Sequence, residues 1–476
     1  MVEKRSETGP ENGRLPQRNI ATTLWTKTAL LPSGWAENVR VAITTDGLIA
    51  NLETGVEPDG ADHRTGPLLP APANAHSHAF QRAMAGLTER RGPNASDSFW
   101  TWRELMYRFL DRLTPSHVEA IAALVQMEML EAGYAANVEF HYLHHQPGGA
   151  PYDNLAEMAE RIAAAAVQTG IGLTLLPVHY QFGGCDGRPL GAEQGRFFND
   201  FDRFARLHEA SAAAVRQLPA DCKTGVSAHS LRAVARADLG RLKVLAATNP
   251  FHMHLAEQDR EVEEVQAAYG ARPVEWVLDQ FDADQTCCFI HCTKMLPHET
   301  TGLAETGAVA GLCPITEANL GDGIFDGVRW LDAGGRIAIG SDSNVRIGLS
   351  EELRLLEYTQ RLRDSSRAAL ASAEKSTGRR IFEETCTGGA ITSGRGSGVI
   401  AVDNPADLIA LDGDAVDVES RGGDTLLDTF VFAAGDKLIT DVWSAGRHMV
   451  AEGRHRRRAD IIAAYRDTIR DLGEAL

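Results

Sequence analysis

The sequence predicts an α/β architecture: a (β/α)8 TIM-like barrel with a small β-sandwich built from both chain ends. Three observations predict it. From about Leu69 onward, eight apolar strand-like runs alternate with helical segments, the pattern of a parallel sheet covered by helices. Short β-like runs with tight turns precede that alternation and return after about Gly389. The 476 residues leave room for a barrel of about 250 residues with a second unit beside it.

The elements follow in order. Residues 1–20 are polar and charged and read as a tail, without the apolar segment of a signal peptide. Residues 23–31, 39–45 and 48–52 read as strands, and Asp46-Gly47 between the last two reads as a hairpin turn. The eight barrel strands are placed at runs ending near His76-Ser77-His78, 138–143, 173–180, 225–230, 251–257, 288–291, 309–316 and 337–342. The clearest helices are 117–132, 155–169, 198–218, 236–247, 261–269 and 351–363, with Gly133, Gly170 and Gly270 as C-terminal stops. Residues 407–412 and a hairpin about Ala445-Gly446-Arg447 restore the β character, and a helix over 459–472 closes the chain. The expected units are therefore 1–68 (tail and part of the sandwich), 69–392 (barrel) and 393–476 (the rest of the sandwich and the final helix). The basic run Arg454-His455-Arg456-Arg457-Arg458 reads as a solvated lead-in to that helix.

Composition bounds the function. Apolar residues make up 43% and charged residues 24%, which excludes intrinsic disorder, collagen-like repeats and a disulfide-framed mini-protein. Lys and Arg number 47 against 65 Asp and Glu, a formal charge of −18. That balance argues against nucleic-acid and anionic-membrane partners, and it obliges any anionic substrate to find a local cluster of cations. The seven cysteines are odd in number and form no C-x-x-C pair, which fits a reducing compartment. No apolar run approaches the roughly 18 residues of a membrane span. A cytoplasmic location is expected.

The chemistry lies at the strand ends. His76 and His78 form an H-x-H pair, and the two-residue period of a strand puts both imidazoles on one face. His252 and His254 also share a face, so spacing alone does not choose between them; Glu257 follows three residues after His254. His291 ends the sixth strand and Asp342 the eighth. Each has an ordinary reading by itself, as a satisfied core polar group or a turn residue. Jointly they ring one barrel mouth, where barrel enzymes place their sites. Nitrogen and oxygen donors without thiolate suit a divalent ion such as Zn²⁺.

This arrangement resembles the amidohydrolase superfamily over nearly the whole chain. No Lys closes the fourth strand, which ends Ala228-His229-Ser230, so the binuclear branch with its bridging carbamylated Lys does not fit. The H-x-x-E spacing at His254 and Glu257 marks the mononuclear, deaminase-like branch. The resemblance implies His76, His78, His254 and Asp342 as ligands of one Zn²⁺, or another divalent metal, per subunit, and leaves His252 out.

Longer stretches resemble the formimidoylglutamate deiminase family: residues 76–86, 99–103, 228–232, 254–258 and 313–323. One departure from many superfamily members is Lys294, where a second His would follow His291. The resemblance implies hydrolytic deimination of N-formimidoyl-L-glutamate, a step of histidine degradation, by a hydroxide generated at the metal. It assigns Asp342 as ligand and proton acceptor, Glu257 as proton donor to the leaving nitrogen, and His291 as the group that steadies the attacking oxygen. Gln81 would bind the formimidoyl group. Arg103, Tyr142, His229 and Arg232 would take the two substrate carboxylates through charge-assisted bonds. A homodimer is expected on the family's habit alone. The competing readings are a related deaminase acting on a purine, pterin or triazine ring, which has no use for two guanidiniums, and a non-catalytic barrel assembly protein, which has no use for a full ligand set.

Overall fold

The computed structural model describes residues 19–87, 89, 106–107 and 109–473. The chain begins in a sheet. Strand β1 (Ile20–Leu31) pairs antiparallel with β2 (Gly34–Thr44), and β2 pairs with β3 (Ile49–Glu53). On β2 the apolar residues Val39, Val41 and Ile43 alternate with polar or smaller ones and turn one buried face inward. The Asp46-Gly47 turn is present, with Gly47 at φ 84°. Glycine is required there, because a Cβ would stand 2.1 Å from the Ala445 carbonyl oxygen of the distant chain end. The short strands β4 (His63–Thr65) and β5 (Leu68–Pro70) run parallel to β1.

The barrel follows. Its strands are β6 (Ala73–Ser77), β7 (Ala136–His141), β8 (Gly172–His179), the two-residue β9 (Lys223–Thr224) beside β8, β10 (Val226–Ser230), β11 (Phe251–Leu255), β12 (Cys287–His291), β13 (Val309–Leu312) and β14 (Arg336–Ile339). All pair in parallel, in the order β6-β7-β8-β10-β11-β12-β13-β14. The seam between first and last is closed by a parallel bridge from Ser77 to Asp342. Across it Asp342 N donates to His76 O at 2.9 Å and His78 N donates to Asp342 O at 2.9 Å. Gly340 permits this approach, since a Cβ there would lie 2.6 Å from His76 N.

After the barrel, β15 (Leu408–Leu411), β16 (Ile439–Ser444), β17 (Arg447–Ala451) and β18 (Arg454–His455) join the first sheet, with β15 antiparallel to β5. Both chain ends thus share one hydrogen-bonded sheet, and Leu24, Val41 and Ile49 from one end pack with Leu408, Ala410 and Trp443 from the other.

Helix Thr377–Ser393 lies across the N-terminal end of the barrel. The Ser393 carbonyl accepts from Thr174 Oγ1 and the Thr392 carbonyl from His252 Nε2. A buried ionic cluster ties the small sheet to the barrel: Arg395, fully buried, bridges Asp221 and Asp407, and Arg447 also pairs with Asp221.

The expected helices are present as Pro115–Glu131, Glu157–Thr169, Phe201–Val215, Arg236–Ala246, Asp259–Tyr269 and Leu349–Asp364, and Gly170 and Gly270 stop theirs in the left-handed conformation. The third is shorter than its apolar pattern, because the Asp200 side chain caps it by accepting from Arg203 N. The strand expected over 309–316 stops at Leu312, since Pro314 opens a helix, Pro314–Leu320. The basic run before the last helix is not simply solvated: His455 is buried in β18 with its ring bonded to the Thr169 carbonyl, and Arg458 pairs with Glu131.

Candidate metal centre and active site

His76 is the next-to-last residue of β6, and His78, just past its end, leads into a short 3-10 turn, Ala79–Met84. The two Nε2 atoms lie 3.2 Å apart. Asp342 Oδ1 stands 3.5 Å from His76 Nε2 and 3.3 Å from His78 Nε2. His254, from the fifth barrel strand, brings its ring to 4.9 Å from that of His76. All four residues are buried, and their donor atoms lie within 4.8 Å of one another.

The surrounding bonds decide which nitrogen faces inward. His78 Nδ1 donates to the Phe140 carbonyl and His254 Nδ1 to the His229 carbonyl, each at 3.0 Å. That leaves the Nε2 lone pairs convergent. Burial holds the imidazoles of His76, His78 and His254 below their ordinary pKa, hence neutral. His76 Nδ1 is buried with no partner among the described residues, so the tautomer of that ring sets whether its Nε2 would donate to His78 Nε2, 3.2 Å away, in the absence of a cation. Three imidazoles with one carboxylate fit a divalent metal ion.

His252, one turn of the strand period away, donates Nε2–H to Thr392 O at 2.9 Å, at the closed end of the barrel. The structure makes the choice that spacing leaves open.

Around the donor set stand the other polar groups. His291 closes β12 in the left-handed region at φ 71°, and Asp342 is likewise at φ 46°. Non-glycine residues hold such conformations only when their surroundings impose them. His291 Nδ1 donates to Glu317 Oε1 at 3.2 Å, and its Nε2 is 3.8 Å from both Glu257 Oε1 and Asp342 Oδ2. Burial disfavours charge on His291, but the carboxylates of Glu257, Asp342 and Glu317 outweigh it and raise its pKa well above the ordinary value. Burial likewise raises the Glu257 carboxyl, against the pull of His291 and Arg232.

One pocket gathers His78, Gln81, Tyr142, His229, Arg232, His254, Glu257, His291 and Asp342. Gln81 Nε2 donates to the Tyr142 hydroxyl at 3.0 Å. The His229 ring sits between those of Tyr180 at 4.4 Å and His254 at 5.0 Å. Arg232 is half-buried, and its Nε is buried with no partner among the described residues. Arg103 lies outside the described residues. His76, fully buried, is not among the residues that line the pocket.

Sequence reasoning missed Glu317, the partner of His291, although residues 313–323 drew attention as a block. It also missed Tyr180, Phe197 and Leu320, which line the pocket. Tyr180 directly follows β8, Phe197 ends a 3-10 turn over Ala192–Phe197, and Glu317 and Leu320 lie on the helix Pro314–Leu320, so strand alternation gives the last three no address. No described helix is long and apolar enough to cross a membrane.

An eight-stranded parallel barrel with this donor set at its mouth defines an amidohydrolase-type enzyme, and the amidohydrolase family model matches residues 68–449. A second model, the N-terminal domain of formimidoylglutamate deiminase HutF, matches residues 21–66. The formimidoylglutamate deiminase of Pseudomonas aeruginosa is 45% identical over 459 residues, which is 96% of this chain and 100% of that protein. The chain belongs to the formimidoylglutamate deiminase family within the amidohydrolases.

Other relatives are more distant. A 5-methylthioadenosine/S-adenosylhomocysteine deaminase of Bacillus cereus is 24% identical, covering 81% of this chain and 82% of that one. Among solved structures, an amidohydrolase from Brucella melitensis superposes with a TM-score of 0.91 at 46% identity, over 95% of this chain and 99% of that one. A zinc-bound adenosine deaminase from Xanthomonas campestris shares the fold, with a TM-score of 0.79 at 20% identity over 96% of this chain and 100% of that one.

Proposed function

We propose that the protein hydrolyses N-formimidoyl-L-glutamate to N-formyl-L-glutamate and ammonia. Water adds its oxygen to the imine carbon, the C–N bond to the terminal nitrogen breaks, and that nitrogen leaves with the protons it gains. One observation carries the substrate: Arg232 lines the pocket with a buried Nε that no group among the described residues satisfies, beside the donor set. A buried guanidinium hydrogen is costly to leave unpaired, and a ligand carboxylate pairs it.

A divalent cation, with zinc the best fit, bound by His76, His78, His254 and Asp342 supplies Lewis acidity and lowers the pKa of water from about 15.7 toward neutrality. The side chains divide the remaining work. Asp342 directs Oδ1 to the ligand histidines and keeps Oδ2 toward His291, where it takes the proton of the attacking water. Glu257, whose carboxyl is protonated more readily than usual, carries protons to the departing nitrogen. His291, held by Glu317, faces the same space with Nε2 and steadies negative charge there. Gln81 and the Tyr142 hydroxyl orient the formimidoyl group. Arg232 and His229 take one carboxylate, and Arg103 is proposed for the other. Arg232 thus offers a guanidinium to an anion in a chain of charge −18.

The test is ammonia release from formimidoyl-glutamate, formimidoyl-glycine and guanine under the same conditions. Turnover of the first, with weak activity on the second and none on the third, is the expected outcome. Preferred release from guanine would replace this reading with a ring deaminase.

A further inference from the structure

Glu257 stands one residue before Gln258, the N-cap of the helix Asp259–Tyr269, and Glu261 is the third residue of that helix. A glutamate at this place ordinarily reaches back to the backbone amide of the N-cap. Glu261 reaches further. Its Oε2 accepts the N–H of Glu257 at 3.0 Å, and its Oε1 accepts that of Ala256 at 3.3 Å. The side chain is fully buried. Two successive amides thus converge on one carboxylate. Ala256 is held in the left-handed region at φ 53°, which a residue with a Cβ keeps only where its surroundings impose it. The peptide between Ala256 and Glu257 is gripped at its other edge too, since Lys294 N donates to the Ala256 carbonyl at 2.8 Å. Thr293 Oγ1 donates to the Glu257 carbonyl at 2.8 Å. From this fastened backbone the Glu257 carboxyl enters the pocket, where its Oε1 stands 3.8 Å from His291 Nε2.

We infer that Glu261 is a positioning residue for Glu257: its buried carboxylate fixes the turn from which the proton-delivering carboxyl projects, and so serves turnover rather than the binding of substrate or metal. A carboxylate that only capped the helix would take the Gln258 amide; both oxygens of Glu261 are used instead on the turn that carries Glu257. Leucine at this position leaves those two amides without their acceptor and lets the turn relax. Misplacing a reacting group by about 1 Å can cost on the order of 10²-fold in rate. The inference rests on Glu257 delivering protons, as proposed above.

The experiment is a double-mutant cycle on the metal-replete, full-length protein, read as ammonia release from formimidoyl-glutamate, with the metal content of every variant measured beside it. Glu261→Leu is expected to lower kcat about 10- to 100-fold, with KM within about twofold of the parent's and the metal retained. In the Glu257→Gln background the same substitution should change kcat by less than about threefold, because the group that Glu261 places no longer carries a proton. A carboxylate that merely supported the fold would cost both backgrounds alike. Unchanged kcat in Glu261→Leu, an equal loss in the two backgrounds, or loss of the metal overturns the inference. If Glu261→Leu gives no folded protein, Glu261→Gln, which keeps one acceptor oxygen, takes its place in the cycle with an expected loss of about 3- to 10-fold in kcat, the worth of one hydrogen bond. Parent-like kcat in Glu257→Gln itself removes the proton donor and the inference with it. A parent inactive on formimidoyl-glutamate refutes the proposed substrate instead, and the cycle is then read on formimidoyl-glycine or guanine.

Discussion

Glu317 Oε1 accepts the Nδ1–H of His291 at 3.2 Å, and the same oxygen accepts the backbone N–H of Cys313 at 2.9 Å. The second bond fixes the carboxylate, so the carboxylate in turn fixes the imidazole. His291 Nε2 is thereby aimed between Glu257 and Asp342, 3.8 Å from each.

Removing that acceptor should hurt turnover and spare binding. Glu317→Leu is expected to lower kcat on the order of 10²-fold with KM near the parent value, since His291 acts on the reacting atoms. Glu317→Gln keeps an acceptor oxygen under the Cys313 amide and should recover much of the loss. Steady-state kinetics with formimidoyl-glutamate measures both, and a Leu variant with unchanged kcat would leave His291 without need of its partner.

Glu257→Gln should keep its metal and lose turnover by about 10²- to 10⁴-fold, the range of a general acid. Metal analysis of the purified variant beside its kcat checks the two halves separately. Loss of the metal would make Glu257 part of the cation site.

Arg232→Met should act on the substrate's carboxylate. A hydrogen bond to a charged group contributes about 1.5–3 kcal/mol, so kcat/KM should fall roughly 10- to 150-fold. Unchanged kinetics with the dicarboxylate substrate would remove Arg232 from the site.

Arg395→Met tests the join between the small sheet and the barrel. The substitution leaves Asp407 buried and unpaired and takes one of two guanidiniums from Asp221. Breaking a buried pair in this way costs about 3–5 kcal/mol. Urea unfolding should register that loss, and a shift under 1 kcal/mol would show that water reaches the cluster, by the same reasoning.

His141 supplies a pH prediction. It is buried outside the metal site, its Nε2 has no partner among the described residues, and burial lowers its pKa to about 3. In the unfolded chain the same imidazole titrates near 6.5. The folded state therefore refuses a proton that the unfolded state accepts: the stability is whole above pH 6.5 and is lost as the pH falls toward 3. Compared with His141→Phe, the parent should lose about 1.4 kcal/mol more per pH unit within that window. Equal slopes for parent and variant between pH 6 and 5 would mean that His141 is protonated in the folded protein.

Much of the barrel was legible because its strands and helices repeat with different periods and end in glycine, proline or capping residues. Gly170, Gly270 and the apolar runs of β8 and β13 suffice for that. The joint placement of His76, His78, His254, His291 and Asp342 at strand ends was also legible, because a closed parallel barrel brings those ends to one rim. The early stop of β13 was not, since an apolar run continues through Pro314 and Ile315 into a helix. Glu317 was hidden for a related reason: it enters the site from a helix, where strand alternation gives no address.

By itself the sequence determined the residue types, the order of the strands and the set of donors available for one cation. Its spacing left His252 and His254 equal, with only the resemblance to favour His254, and it placed Glu317 nowhere in particular. Tertiary structure decided these, because hydrogen bonds reach only about 3 Å and their partners lie far apart in the chain: Thr392 for His252 and His291 for Glu317. Local periodicity tells which way a side chain points; only the closed barrel supplies the group it meets.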